Sequence, residues 1–112
     1  TVSTTGNFAF GIIANAGNGT LNDATISGNT VSQAGQHSVS IFVIAGGNLC
    51  VAEFSGNVSL NPGVFNVGSN DLNFNIAPGG TVDFVGFANV TVNNPGFDVF
   101  GGVPTGTPGA CP

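Results

Sequence analysis

Turn-forming residues interrupt this chain at short, regular intervals, and that punctuation limits its fold more than any other feature. Clusters fall at Asn15–Gly19, Ser27–Asn29, Gly46–Asn48, Gly56–Asn57, Asn61–Gly63, Gly68–Asn70, Pro78–Gly80 and Asn93–Gly96. Between them lie short runs rich in β-branched and aromatic residues, which suit strands. Gly, Asn, Thr and Val are poor or middling helix formers, and Gly, Pro or Asn breaks nearly every candidate helical window. The pattern predicts an all-β fold, an antiparallel jelly-roll or Ig-like sandwich with an extended N-terminal strand. No internal repeat emerges.

Alternation assigns faces within the runs. In Asp71–Ala77, Leu72, Phe74 and Ile76 face one way, and Asp71, Asn73 and Asn75 the other. In Ser38–Ala45, Val39, Ile41 and Val43 share a face. The opposite face, Ser38, Ser40, Phe42 and Ile44, turns from polar to apolar, as expected of a central strand covered on both sides at one end. Thr81–Val92 reads as one strand with Val82, Phe84, Val90 and Val92 on one side and a bulge near Gly86 or Ala88. Val103–Pro112, with three prolines, reads as a tail.

The first fourteen residues form a separate unit in this reading, with 15–112 as the sandwich domain. Thr1–Gly6 is small and polar; Phe8, Phe10 and Ile12 then occupy alternate positions. Two readings compete. The arm is the first strand of its own sandwich, or it is a donor strand that inserts those three side chains into a neighbouring subunit. The start at Thr1 fits a chain freed of a signal peptide.

Charge excludes several functions. The chain has no Lys or Arg, and its five acids, Asp23, Glu53, Asp71, Asp83 and Asp98, give a net charge of -5. Phosphate contacts need cations, so nucleic acid is excluded as a partner, and anionic lipid is disfavoured. No apolar run approaches the ~20 residues of a membrane helix, so no membrane insertion is expected. Solubility rests on neutral Asn, Thr, Ser and Gly, which suits an extracellular, cell-surface protein.

Cys50 and Cys111 form no CxxC and have no His cluster near them, which argues against zinc. The leading reading is a disulfide between them. Two buried thiols and a bridge between subunits are the rivals. His37, the one histidine, stands beside Gln36 and Ser38 at a strand start, with no nucleophile or orienting group at a useful spacing. The carboxylates are scattered singly. Asp71 with Ser69 and Asn70, or Asp23 with Asn22, resembles Ca²⁺-binding oxygens only loosely, and Asx-turn capping explains them better. No enzyme activity, metal or cofactor is expected. Three N-glycosylation sequons start at Asn18, Asn57 and Asn89. The pleat puts Asn57 and Asn89 out of phase with their apolar neighbours and therefore toward solvent.

The Leu72–Val92 stretch, LNFNIAPGGTVDFVGFANVTV, reads as a strand, a Pro–Gly turn and a second apolar strand. With the alternating arm, low charge and terminal cysteine, the chain resembles small subunits of extracellular filaments, of the archaeal thread and bundling-pilus or spore-appendage type. That resemblance implies a β-sandwich whose N-terminal strand completes the next subunit in a homopolymer of identical copies, often carrying N-linked glycans. Spore-appendage subunits carry cysteines in the arm; this arm has none. The competing expectations are a secreted carbohydrate-binding module, though it lacks the Trp and Tyr that usually stack on sugars, and a virion jelly roll. An ice-binding Thr ladder ranks lower, because the threonines are irregularly spaced.

Overall fold

A computed structural model describes residues 2–3, 9–64 and 66–112. It contains the strands β1 (Val2–Ser3), β2 (Ile12–Gly17), β3 (Thr20–Ser27), β4 (Thr30–Ser32), β5 (Val39–Val43), β6 (Asn48–Ser55), β7 (Val58–Leu60), β8 (Leu72–Ile76), β9 (Thr81–Phe84) and β10 (Phe100–Gly101). A 3-10 turn at Phe87–Asn89 leads into one helical turn, α1 (Val90–Asn93).

Among the described residues every strand pairing is parallel. The sheets run β1-β4-β7, β10-β8-β5-β2 and β3-β6-β9. Strands adjacent in sequence therefore lie in different sheets, and each pairs with the strand one coil away. The chain winds as a three-sided parallel β-solenoid, in which stacked coils share one core. This overturns the antiparallel jelly-roll or Ig-like sandwich. The physical reason lies in the turn clusters, which make corners instead of hairpins. Ala16–Gly19, Ile44–Gly47 and Ala77–Gly80 form the same turn three times, each closed by a backbone hydrogen bond of 2.9–3.0 Å. Successive corners then stack, the Asn48 N–H donating to the Gly19 carbonyl and the Thr81 N–H to the Gly47 carbonyl. Gly47 is obligatory here, because a Cβ on it would overlap the Gly17 carbonyl beneath.

The expected hairpin of Leu72–Val92 does not form, since β8 pairs with β5 and β10 while β9 pairs with β6. The long strand over Thr81–Val92 stops at Phe84. Gly86 takes a left-handed conformation (φ 69°) and starts the helical turns, so Val90 is buried while Val92 is exposed. In the tail, the Thr105 N–H donates to the Val82 carbonyl and the Phe84 N–H to the Gly106 carbonyl, adding a short rung to β9.

Inward side chains stack in columns from coil to coil. Ile12, Val39, Leu72 and Phe100 form one; Ala14, Ile41 and Phe74 another; Leu21, Leu49 and Val82 a third; Ala24, Val51 and Phe84 a fourth. Val39, Ile41, Val51, Leu72, Val82 and Phe84 are fully enclosed. The boundary drawn at residue 14 falls inside β2, whose Ile12–Gly17 pairs with β5.

Candidate functional site

The outer face of the sheet β2-β5-β8-β10 carries a recess. Strand register places Ile13, Ser40 and Asn73 in one row and Asn15, Phe42 and Asn75 in the next, all on the side opposite the core columns. Phe10, Gln36 and His37 close one end of the groove, which measures about 390 Å³. The Phe10 and His37 rings stack with centroids 5.7 Å apart and planes 27° from parallel. His37 Nδ1 accepts the Asn70 backbone N–H at 2.9 Å, which leaves the ring proton on Nε2. Burial holds the imidazole below its usual pKa, so His37 is neutral at pH 7. The groove is thus uncharged, with two ring surfaces bordered by side-chain amides. The Asn73 amide reaches toward the Ser40 hydroxyl (3.5 Å), and Ser40 is buried as part of the floor.

A second polar cluster lies inside the solenoid. Ser38 and Ser59 hydroxyls meet at 2.7 Å, and the Ser59 hydroxyl donates to Asp71 Oδ1 at 2.7 Å. Asp71 Oδ2 accepts the Val99 and Asp98 N–H groups at 3.0 and 3.3 Å. Burial pushes the Asp71 carboxyl above the usual range, and these donors pull it back. Ser59 and Asp71 join, but His37 is bonded elsewhere, so no Ser–His–Asp array is assembled. The Ca²⁺ alternative fares no better. Asp71 is spent on Ser59 and the 98–99 backbone, and Ser69 Oγ donates to the Asn66 carbonyl. Among the described residues, no three acid, His or Cys side chains gather as a metal cage.

Cys50 and Cys111 are joined in a disulfide, with Cα atoms 5.7 Å apart. Cys50 is on the outer side of β6, between the inward Leu49 and Val51. The tail therefore pairs with β9, crosses outside the sheet and fastens one coil back. A bond of this kind belongs to an oxidising compartment, which points outside the cell. No helix among the described residues is long and apolar enough to cross a membrane.

The expected donor residues fall differently. Phe8 lies outside the described residues. Phe10 is half-buried against His37, and Ile12 pairs with Val39 of its own chain. Ile12 thus lies in β2 with its side chain toward its own core, on a strand paired with β5 along one edge. Of the sequons, Asn18 and Asn89 are exposed, but Asn57 is fully buried, which corrects its assignment to solvent. Its Nδ2 donates to the Ile26 carbonyl (2.8 Å) and Asn94 Oδ1 (3.0 Å), while its Oδ1 accepts from Asn29 (3.1 Å). Asn94 in turn donates to the Phe54 and Val90 carbonyls. Asn29, Asn57 and Asn94 thus form a buried amide ladder at one corner. The similar Ser–Gly–Asn at 27–29 and 55–57 was the visible signal for it.

Comparison with protein-family models, with curated proteins and with solved structures finds no match to this chain.

Proposed function

We propose that the chain is an extracellular, cell-surface binding module that holds an uncharged glycan in the groove on the β2-β5-β8-β10 face. The observation that carries this reading is the groove's composition: the apolar rings of Phe10 and Phe42 and the neutral imidazole of His37 beside the amides of Asn15, Gln36, Asn73 and Asn75. Sugar rings present an apolar face and a hydroxyl rim, and a concave site with apolar walls and a few placed polar groups matches both. Most phenylalanines line the core, yet Phe10 and Phe42 are spared for this surface, which answers the lack of Trp and Tyr. Acidic glycans are disfavoured because the chain carries -5 and no cation. The reading is of binding and not turnover: no carboxylate lines the groove.

Titration calorimetry with neutral hexose oligomers and with uronate oligomers tests it. Binding of the neutral series, weakened about tenfold or more by Phe42→Ala, is the expected result. No binding by either series, or a preference for uronates, defeats it. A filament subunit is the less supported reading, since Ile12 of the expected donor strand pairs with Val39 of its own chain.

A further inference from the structure

Sheet pairing stops at the N-terminal end of the solenoid. Among the described residues, the outer edges of β2 and β3 have no strand beside them, while β1 covers β4 alone. The inward side chains Ile12, Ala14, Ala16 and Leu21 pack against the core yet stay half-exposed. The two edges differ. β3 slips register between Leu21 and Ala24, and Asp23 there has φ 57°. A bulge and a charge are the usual means of blunting an edge strand. β2 has neither over Ile12–Asn15, where its register with β5 is unbroken, and it turns Ile13 outward at 53% exposure.

We propose that β2 is a dimerisation edge, paired antiparallel with β2 of a second copy about a two-fold axis normal to the sheet. Three observations select this occupant. The opposite end offers no edge of matching length among the described residues: β7 is paired by the 93–95 backbone, β9 by the tail, and β8 by β10, whose own outer edge spans only Phe100–Gly101. Like ends are then the matching pair, and an isologous contact closes instead of propagating. β2 is free of charge and the whole chain free of cations, so the edge attracts no acidic or basic partner and needs none. The size also fits. Four rungs spaced ~4.8 Å span about 14 Å, nearest the shortest molecular extent of 19 Å, so the coil cross-section lies within the other two extents, 34 and 27 Å. A face within those bounds can supply the ~800 Å² per partner of a stable interface. The two four-stranded sheets merge, Ile13 of each copy meets at the seam, and both grooves open on the same side of one continuous sheet.

Sedimentation equilibrium of the 112-residue protein, without sugar, tests the contact independently of glycan binding. The expected mass is twice 11.0 kDa. Ile13→Lys, which sets like charges across the seam, should weaken the dimer about tenfold or more. Val103→Lys, exposed in the C-terminal segment, should leave it unchanged, and Phe42→Ala should impair only sugar binding. A single-chain mass at every concentration overturns the proposal, as does growth into long polymers. A dimer insensitive to Ile13→Lys, or one lost with Val103→Lys, places the contact elsewhere and overturns it equally.

Discussion

The two ends of the solenoid are built from one pleat but finished differently. Toward the C-terminus three of the four columns end in rings, at Phe74, Phe84 and Phe100, and Phe54, Phe74, Phe84, Phe87, Phe97 and Phe100 touch in a chain of contacts with centroids 5.1–5.9 Å apart. Toward the N-terminus the columns that carry Phe74 and Phe84 end in the small Ala14 and Ala24, and the other two end in Ile12 and Leu21, all four partly exposed. Identical strand geometry thus supports a sealed end and an open one. The difference lies in side-chain volume and in what the chain does after its last full coil. Repeat proteins use capping units at their termini, and among the described residues the tail and the helical turns form such a unit at the C-terminal end.

The contrast breaks first at Phe84. Its side chain is wholly enclosed and touches Phe54, Phe74 and Phe87, so Phe84→Ala should cost about 3–5 kcal/mol. Leu21→Ala, half-exposed at the other end, should cost no more than about half as much. Equal losses in urea melts would erase the distinction. Next in size is the strap. Cys50→Ser with Cys111→Ser should remove about 2–4 kcal/mol and speed amide exchange at Thr105 and Gly106, while exchange in β2 stays as it was. Uniform acceleration would show that the tail is no local closure. Asn57→Ala should follow at about 1–3 kcal/mol, since it strands the Ile26 carbonyl and the Asn29 N–H. A change below a few tenths would mean water replaces the amide.

The smallest effect is that of pH, and it sharpens the comparison because its two groups lie between the ends. His37 is held below its reference 6.5. Its contribution is complete above pH 6.5 and is lost as pH falls through the folded value. Asp71 is raised above its reference 3.8. The ionised form is penalised in the fold, so stability rises as pH falls through the folded value and levels off below 3.8. The slopes oppose, and the wild-type profile should be shallow. Asp71→Asn keeps the network if the Ser38–Ser59 hydroxyl pair reverses, and it should leave a net loss of stability on acidification. A profile unchanged by Asp71→Asn would remove Asp71 from the balance.

The faces of the strands were legible in the sequence; their partners were not. Val39, Ile41 and Val43 point inward as alternation requires, and β5 is flanked by β2 and β8. Period-two alternation is the same whether the neighbour runs parallel or antiparallel, so it cannot distinguish a corner from a hairpin. The repeat was hidden by unequal coils: Asn61–Asn70 lengthens the second, and the helical turns at Phe87–Asn93 lengthen the third. Those turns also displaced the ladder. Asn89 heads the segment most like Asn57–Leu60, but Asn94 occupies the matching position. Asn57 misled for a related reason, since it sits at a corner where strand phase no longer reports exposure. The groove escaped notice because its rows combine residues from three coils.

The disulfide records how far the chain has been wound. Cys50 belongs to the second coil and Cys111 follows the third. In the native fold the two sulfurs lie together because β8 and β9 sit on β5 and β6 and the tail runs along the β9 edge. The bond therefore spans the third coil like a hoop: to peel that coil away, the chain must carry a closed loop with it. Where thiols stay oxidised, the hoop ties the last coil covalently to the one before it.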